Sequence, residues 1–274
     1  GKELILARDH FGKKPLYYSA LHGKGFAFAS ELTAMTEVAD AGIDVSVVGD
    51  YLHFGYIPEP DTIYEGVSAL PPGSWATWKP GSGLTIHSYW SVEDMAVGAE
   101  YAVDLDELDE RIGRAVARRL HSDVALGSFL SGGVDSALVA SYLTEMRPGA
   151  PTITVGFDRS AWDESPEARL TAAMLETNHI VDVVTMSDAE TLLDDYVACY
   201  DQPFADSSGI PTLALAAASR RHVTVALGGD GADEVFGGYE RYRWQALAAR
   251  SLSVPGVLRS ACARALPVVG GHRG

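Results

Sequence analysis

The pattern of hydrophobic and polar residues divides the chain into two parts. Over residues 1–92, short apolar runs alternate with turn residues, and glycine-containing turns at residues 22–25 and 80–83 each separate two such runs. This spacing is typical of β-hairpins and predicts a β-rich first part. From residue 104 onward, apolar strand-like runs alternate with stretches in which apolar residues recur every three or four positions. That alternation predicts parallel βαβ units.

A long amphipathic helix is predicted at the start of the second part. Asp104 is expected to cap it, with Glu107 completing a capping box. Its apolar residues, from Leu105 to Leu120, recur at a spacing that predicts one buried face. Acidic residues crowd the first turn and arginines crowd the last, an order that matches the helix dipole.

Charge and cysteine content narrow the classes of protein to consider. The chain has a net charge of -16, which argues against non-specific binding to nucleic acid or to an anionic membrane. No apolar run is long enough to span a membrane, and the two cysteines, Cys199 and Cys262, have no zinc-site spacing. We therefore expect a cytoplasmic protein with buried, reduced cysteines. The adjacent Arg8 and Asp9 are expected to form a surface salt bridge near a turn.

The most informative stretch is the loop Ser131-Gly132-Gly133-Val134-Asp135-Ser136, which lies between an apolar run and a predicted helix. A helix N-terminus carries free N–H groups and a partial positive charge, and two glycines let the backbone approach a bulky anion. The two serines add hydroxyl donors, whereas Asp135 suits a divalent cation that bridges to phosphates. The loop therefore predicts a phosphate site with Mg²⁺. The alternative is a tight strand-to-helix turn with a serine cap.

A second glycine-rich loop follows the predicted strand over residues 223–227. It places three carboxylates, those of Asp230, Asp233 and Glu234, within five residues. Carboxylates so close repel each other, so a bound cation would stabilise the loop. A carboxylate with a raised pKa that moves protons is a second interpretation, and an acidic surface turn is a third.

Together, these stretches resemble the glutamine-hydrolysing asparagine synthetase family of the PP-loop ATP pyrophosphatase superfamily. Residues 131–136 are similar to its pyrophosphate-binding loop, and residues 228–239 are similar to its block S-G-E-G-A-D-E-L-F-G-G-Y. Residues 7–18 resemble the closing part of its N-terminal-nucleophile (Ntn) glutamine amidotransferase domain. Further similarity lies in residues 28–32, 56–73, 154–157 and 201–212.

The resemblance implies an α/β fold in two domains. The β-rich C-terminal part of the Ntn amidotransferase domain would occupy residues 1–92, followed by a linker over residues 93–103. A parallel-sheet PP-loop synthetase domain, similar to adenine nucleotide alpha hydrolases, would occupy residues 104–274. The family's N-terminal cysteine nucleophile and its downstream lysine have no counterpart in this sequence. We therefore expect a chain truncated at both ends that does not hydrolyse glutamine by itself.

The resemblance also assigns roles to individual residues. Those expected to bind ATP or pyrophosphate are Leu130, Ser131, Gly132, Gly133, Asp135, Ser136, Val155, Gly228 and Gly229. Asp135 and Asp233 are expected to bind Mg²⁺, and Asp230 and Glu234 are the candidate catalytic residues. Two positions depart from the family pattern, because Asp230 replaces the usual Glu and Gly228 replaces the usual Ser. An arginine of the family is absent from residues 201–212, where the chain has Asp206-Ser207-Ser208.

The activity implied is ATP-dependent conversion of aspartate to asparagine through a β-aspartyl-AMP intermediate. AMP and pyrophosphate would be released, and the nitrogen would be ammonia derived from glutamine in the full-length protein. The partners expected are therefore these small molecules, and a homodimer is compatible with the sequence. Alternatives are an amidotransferase or β-lactam-type synthetase that acts on another carboxylate, and a non-catalytic ATP-binding homologue.

Overall fold

The computed structural model describes most of the chain. The residues described are 3–21, 25–39, 41–96, 104–158 and 163–242, together with 244, 245 and 249. They form two compact units, each made of several segments. One unit contains Gly1–Arg114, Val155–Asp163 and Val181–His222, and the other contains Ala115–Thr154, Glu164–Ile180 and Val223–Gly274. The boundaries predicted at residues 92 and 104 stay a prediction.

The described residues contain ten strands and nine α-helices. The strands are β1 (Leu4–Ala7), β2 (Tyr17–Leu21), β3 (Gly25–Ala29), β4 (Ser68–Ala69), β5 (Ser74–Lys79), β6 (Gly83–Ser88), β7 (Leu126–Phe129), β8 (Pro151–Phe157), β9 (Asn178–Val184) and β10 (Val225–Leu227). The helices are α1 (Leu32–Ala39), α2 (Val48–Phe54), α3 (Val92–Ala96), α4 (Leu105–Ala117), α5 (Val134–Met146), α6 (Ser165–Met174), α7 (Met186–Cys199), α8 (Gly209–Ser219) and α9 (Ala232–Phe236). A 3₁₀ turn covers Val45–Val47.

Two antiparallel sheets of three strands lie in the first unit, in the orders β1-β5-β6 and β3-β2-β4. Strands β5 and β6 end their ladder at the pair Lys79 and Gly83, which confirms the second predicted hairpin. Strands β2 and β3 pair in the same way, although residues 22–24 at their turn lie outside the described residues. The first part of the chain is therefore β-rich, as its sequence predicts.

Arg8 is a buried residue of the first unit, so the prediction of a surface salt bridge with Asp9 is wrong. Its side chain is 5% exposed, and its guanidinium donates to both carboxylate oxygens of Glu59, at 2.7 and 2.9 Å. The same guanidinium also donates to the carbonyls of Gly12, Lys14 and Leu70. Asp9 instead accepts from the N–H groups of Lys14 and Lys13, and these bonds lower the pKa of its carboxyl.

Asp201, which follows α7, caps helix α1 from a distant part of the sequence. Its carboxylate accepts from the Leu32 N–H at 2.7 Å and from the Thr33 hydroxyl at 2.6 Å. Two further hydrogen bonds within the first unit hold the residues that follow Asp201. The Ile63 N–H donates to Gln202 Oε1 (3.1 Å), and the Ala205 N–H donates to the Gly55 carbonyl (2.7 Å). The segment after α7 is thus held by several polar contacts.

We expect Asp201→Ala to destabilise the protein by about 1–2 kcal/mol, the usual cost of losing a helix N-cap. The control is Asp195→Ala, because Asp195 is an exposed carboxylate on α7. Urea unfolding followed by circular dichroism measures both changes. Equal unfolding midpoints for the two variants would show that the cap does not stabilise the unit.

The second unit is organised by a parallel sheet. The strand order is β10-β7-β8-β9, and β7 pairs in parallel with β10 and with β8, which confirms the predicted βαβ arrangement. Strands β8 and β9 begin in this unit and continue into segments of the first. A β-carbon at Gly127 would lie 2.6 Å from the Pro151 carbonyl oxygen, so β7 and β8 need glycine there. A small apolar core contains Leu130, Ala140, Ala168 and Ala172.

Helix α4 is capped as predicted, but its first turn differs in detail. Asp104 Oδ1 accepts hydrogen bonds from two N–H groups of the first turn. The Glu107 carboxylate does not complete a capping box, because it pairs with Arg111 one turn later. The predicted buried face is correct at Val116, which is 6% exposed, and wrong at Leu105, which is 73% exposed.

The structure describes one of the two cysteines. Cys199 is exposed, so its predicted burial is wrong, and Cys262 lies outside the described residues. Within the described part of the chain, no helix combines the length and the apolar character needed to cross a bilayer.

Candidate functional site

Two loops of the second unit leave the same edge of the parallel sheet. Strands β7 and β10 are parallel neighbours, with Leu126 opposite Val225 and Ser128 opposite Leu227. Each strand leads through a glycine-containing loop into a helix, α5 after β7 and α9 after β10. Ligands of open parallel sheets bind at the carboxyl ends of the strands. The two loops that the sequence singles out therefore meet at the edge where a ligand is expected.

The two serines hold the first loop in shape. Ser136 Oγ accepts from the Ser131 N–H at 3.0 Å, and Ser131 Oγ accepts from the Gly133 N–H at 3.1 Å. The two hydroxyls lie 2.9 Å apart, and Ser136 also donates to the Gly133 carbonyl. Both hydroxyls thus make hydrogen bonds within the loop, and their role as donors to a phosphate stays a prediction. Gly133 is the N-cap of α5, so the loop ends at a helix N-terminus.

The Gly132 N–H points to a carboxylate that the sequence analysis does not identify. It donates to Glu164 Oε2 at 3.1 Å. A β-carbon at Gly132 would lie 3.1 Å from the Glu167 Cβ and 3.6 Å from the Glu164 Cβ, so the first turn of α6 packs against the loop. The one sequence signal is a glutamate at a helix N-cap, where shorter polar residues are preferred.

Gly229 brings the second loop into contact with the first. A β-carbon at Gly229 would lie 2.9 Å from the Asp135 Cβ and 3.0 Å from the Ser136 nitrogen. At Gly228, an added β-carbon would lie 2.7 Å from Asp230 Oδ2. At Gly229 the second loop therefore packs against the backbone of α5, and a side chain does not fit there, whereas at Gly228 the nearest atom is the end of the Asp230 side chain.

The acidic residues of the site occupy different environments. Asp135 is half-buried in the first turn of α5, and Asp230 is exposed in the second loop. Asp233 and Glu234 lie in the first turn of α9. The Glu234 carboxylate accepts from the Tyr239 hydroxyl at 2.9 Å, and this bond raises the pKa of the tyrosine.

Comparison with known proteins finds two family matches along the chain. The family described as asparagine synthase matches residues 107–267, and a glutamine amidotransferase domain matches residues 1–90. The first match alone covers more than half of the chain. The chain belongs to the asparagine synthase family. Its parallel sheet and the preceding β-rich region have the α/β organisation that the sequence predicts.

Several relatives match along most of the chain. Asparagine synthetase (glutamine-hydrolyzing) 1 of Bacillus subtilis is 36% identical over 237 residues, which cover 86% of this chain and 38% of that protein. A putative asparagine synthetase (glutamine-hydrolyzing) of Mycobacterium tuberculosis is 34% identical over 255 residues, with 88% and 38% covered. Amidase chry2 of Gibberella zeae is 31% identical over 298 residues, with 94% and 41% covered. The chain thus spans 38% to 41% of the length of these relatives.

Two residues that the resemblance assigns to the nucleotide site lie on or next to strands of this asparagine synthase family member. Leu130 is 2% exposed and packs in the core of the second unit, and its carbonyl accepts from the Thr154 hydroxyl. Val155 is half-buried on β8, in a segment of the first unit. The structure thus brings together the first loop, Gly228 and Gly229, whereas Val155 is described with the other unit.

The donor set is compatible with a magnesium ion shared with phosphates. Asp135 and Asp233 each lie in the first turn of a helix that follows one of two neighbouring strands. Mg²⁺ is commonly held by one or two carboxylates and completed by phosphate oxygens and water. Among the described residues, no group of three or more acidic, histidine or cysteine side chains could hold a metal. Two carboxylates together with phosphate oxygens of a bound nucleotide therefore suit Mg²⁺. The described residues alone do not form a complete metal site.

Proposed function

We propose that this chain is part of an enzyme that forms an amide from a carboxylate, with ATP as the energy source. By similarity to the relatives named asparagine synthetase, the carboxylate is that of aspartate and the product is asparagine. The observation that carries the proposal is the contact of Gly229 with Asp135 and Ser136. It brings two loops, each leading into a helix N-terminus, to the edge of a parallel sheet where nucleotides bind.

In the first step, an oxygen of the substrate carboxylate attacks the α-phosphorus of ATP. The bond to the bridging oxygen breaks, pyrophosphate leaves and an acyl-adenylate forms. The free N–H groups of the first turn of α5, with Ser131, Gly132, Gly133 and Ser136, bind the leaving pyrophosphate. In this proposal, Leu130, Gly228 and Gly229 of the second unit would lie beside the adenosine and the α-phosphate, and the role of Val155 stays a prediction. Stabilisation of the charge on the leaving group by fixed donors lowers the barrier.

Asp135 and Asp233 are the residues that would hold Mg²⁺ in this proposal. When bound, the ion supplies positive charge that neutralises the pyrophosphate. The local need for positive charge is large, because the chain has a net charge of -16. The half-buried position of Asp135, against the backbone of Gly229, fixes this carboxylate close to both loops.

In the second step, ammonia attacks the carbonyl carbon of the acyl-adenylate. The bond to AMP breaks, AMP leaves as the anion, and the nitrogen loses one proton. Asp230 and Glu234 are the proposed catalytic carboxylates. Asp230 is exposed in the second loop and can reach a bound substrate, whereas Glu234 is oriented by its hydrogen bond with Tyr239.

We further propose that glutamine is the source of ammonia in the whole protein. Residues 1–90 match a glutamine amidotransferase domain, and the named asparagine synthetases are glutamine-hydrolyzing. In this proposal, residues 1–92 are the C-terminal part of the amidotransferase domain, residues 93–103 are a linker and residues 104–274 belong to the synthetase domain. The cytoplasmic location and the homodimer stay predictions.

A second candidate keeps the chemistry and changes the acid. Amidase chry2, a relative that is not named an asparagine synthetase, matches 94% of the chain at 31% identity. The proposed pyrophosphate contacts of the first loop do not depend on which carboxylate is adenylated. Amide formation on a carboxylate other than aspartate is therefore the alternative proposal.

The test measures pyrophosphate release by the natural protein that contains this chain, with ATP, Mg²⁺, aspartate and ammonia. We expect aspartate-dependent release, and we expect Asp135→Asn to reduce it by roughly 10²-fold, the size of effect seen when one charge-stabilising group is removed. The control is Asp123→Asn, an exposed carboxylate just before β7. ATP binding without aspartate-dependent release would favour another carboxylate. Absence of ATP binding would overturn the enzyme proposal and favour a non-catalytic homologue.

A further inference from the structure

Glu164 occupies an unusual place for a glutamate. It is the N-cap of α6, with φ of -92° and ψ of 5°, and its side chain makes no hydrogen bond to its own helix. Serine, threonine, aspartate and asparagine are preferred at an N-cap because their short side chains reach the next N–H groups. The longer glutamate side chain extends instead to the first loop, where it accepts from the Gly132 N–H at 3.1 Å. Capping of its own helix therefore does not explain this residue.

The loop N–H groups differ in the acceptors that they have. The Ser131 and Gly133 N–H groups donate to neutral hydroxyls of the same loop. The Gly132 N–H alone among these three donates to a carboxylate, and that carboxylate belongs to another helix. Hydroxyls can rotate to serve a phosphate oxygen as well, whereas a carboxylate is an anion and only accepts. The negative charge of Glu164 thus lies where the proposed function places pyrophosphate.

We propose that Glu164 is an internal occupant of the pyrophosphate site, which satisfies the Gly132 N–H without nucleotide and is displaced by a pyrophosphate oxygen. This inference rests on the proposed function of the first loop. Two anions at one donor repel each other, so the side chain and the ligand exclude each other. Glu164 is exposed, so its carboxylate can return to water without a buried-charge penalty.

Displacement of this kind affects affinity and release together. The free energy of the Glu164–Gly132 hydrogen bond is lost whenever pyrophosphate binds, which weakens binding of the ligand. As pyrophosphate leaves, the returning carboxylate satisfies the vacated N–H. Glu164 therefore lowers the affinity of the site for pyrophosphate and favours its release after adenylation.

Glu167 provides a matched control one turn later. Its Cβ also packs beside Gly132, so both glutamates contribute negative charge near the loop. The hydrogen bond to the Gly132 N–H comes from Glu164 and not from Glu167. Glutamine at either position removes one charge and nearly preserves the shape of the side chain. A difference in pyrophosphate affinity between the two variants therefore indicates displacement of the Glu164 side chain. The loss of one negative charge near the loop would affect both variants alike.

The experiment is calorimetric titration of the natural protein, and of its E164Q and E167Q variants, with pyrophosphate and Mg²⁺. We expect E164Q to lower the dissociation constant by roughly three- to tenfold, because a charged hydrogen bond becomes a weaker neutral one. We expect E167Q to lower it by less than twofold, about the effect of a screened surface charge. Thermal melting checks that both variants fold.

The outcomes separate this inference from the proposed function. Failure of the unsubstituted protein to bind pyrophosphate or ATP would overturn the proposed function of the loop. Normal binding with an unchanged dissociation constant in E164Q would overturn the role of Glu164 alone. Weaker binding by E164Q would also overturn it, because Glu164 would then support the ligand or its metal. An equal decrease of the dissociation constant in E164Q and E167Q would overturn displacement, because the loss of one negative charge would then explain both changes.

Discussion

Replacement of Gly229 by alanine is expected to reduce pyrophosphate release by roughly 10²-fold, because displacement of reacting groups by about 1 Å has effects of that size. The added β-carbon would lie 2.9 Å from the Asp135 Cβ and 3.0 Å from both the Asp135 carbonyl carbon and the Ser136 nitrogen. Two of these atoms belong to the backbone of α5, which cannot rotate away as a side chain can. The two loops must therefore separate at the site.

Gly49→Ala is the matched control for this substitution. A β-carbon at Gly49 would have no heavy atom within 4 Å, and Gly49 lies in helix α2 of the first unit. Alanine is the better helix former, so this variant should retain its activity and its stability. Steady-state pyrophosphate release and thermal melting are measured for both variants. Full activity of Gly229→Ala would show that the contact between the loops is not needed for adenylation.

The position of each loop, after a strand and before a helix, is predictable from the sequence because its causes are local. An apolar run before residues 131–136 and another before Gly228 each predict a strand, and both strands form. The alternation of strands and helices predicts a parallel sheet, and neighbouring parallel strands end at the same edge. The contact of Gly229 with Asp135 could not be predicted, because the order of strands in the sheet is not encoded in any local pattern.

Contacts between distant side chains are what the sequence analysis missed. Glu164 reaches Gly132 across 32 positions, Arg8 reaches Glu59 across 51 and Asp201 reaches Leu32 across 169. In each case a charged residue satisfies a backbone N–H or a partner charge that the tertiary fold brings near it. Charged residues in turns are exposed on average, so their local sequence predicts exposure. Burial of Arg8 follows from the fold around it and not from its neighbours in sequence.

Helix α8 shows the same limit for secondary structure. It begins at Gly209 and contains Pro211 in its first turn. Both residue types are common in turns, so the hydrophobic pattern does not predict a helix there. Proline is nevertheless tolerated in the first turn, because the N–H that it lacks would have no partner within the helix. The helix is then supported by packing, since Ala214 and Ala218 are buried at 4% exposure each.

The network around Arg8 places the largest expected stability effect in the first unit. Its guanidinium contacts Glu59 and three backbone carbonyls, those of Gly12, Lys14 and Leu70, while the side chain is 5% exposed. Leu70 is fully buried, so its carbonyl cannot turn to water when the guanidinium is removed. Glu59 is 38% exposed on its side chain, so its carboxylate can be partly rehydrated. The buried Leu70 carbonyl is therefore expected to contribute more to the loss than the Glu59 carboxylate does.

Arg8→Met is expected to destabilise the protein by about 3 kcal/mol, at the lower end for breaking a buried ion pair because Glu59 regains water. Methionine nearly preserves the volume of the side chain, so the loss reports polar contacts more than packing. The control is Arg111→Met, since Arg111 is 67% exposed and pairs with Glu107 on the surface of α4. Urea unfolding followed by tryptophan fluorescence compares the two variants. Similar unfolding midpoints would mean that the Arg8 network orders the turn without stabilising the unit. A lower midpoint in Arg8→Met alone would show that these buried hydrogen bonds stabilise the first unit.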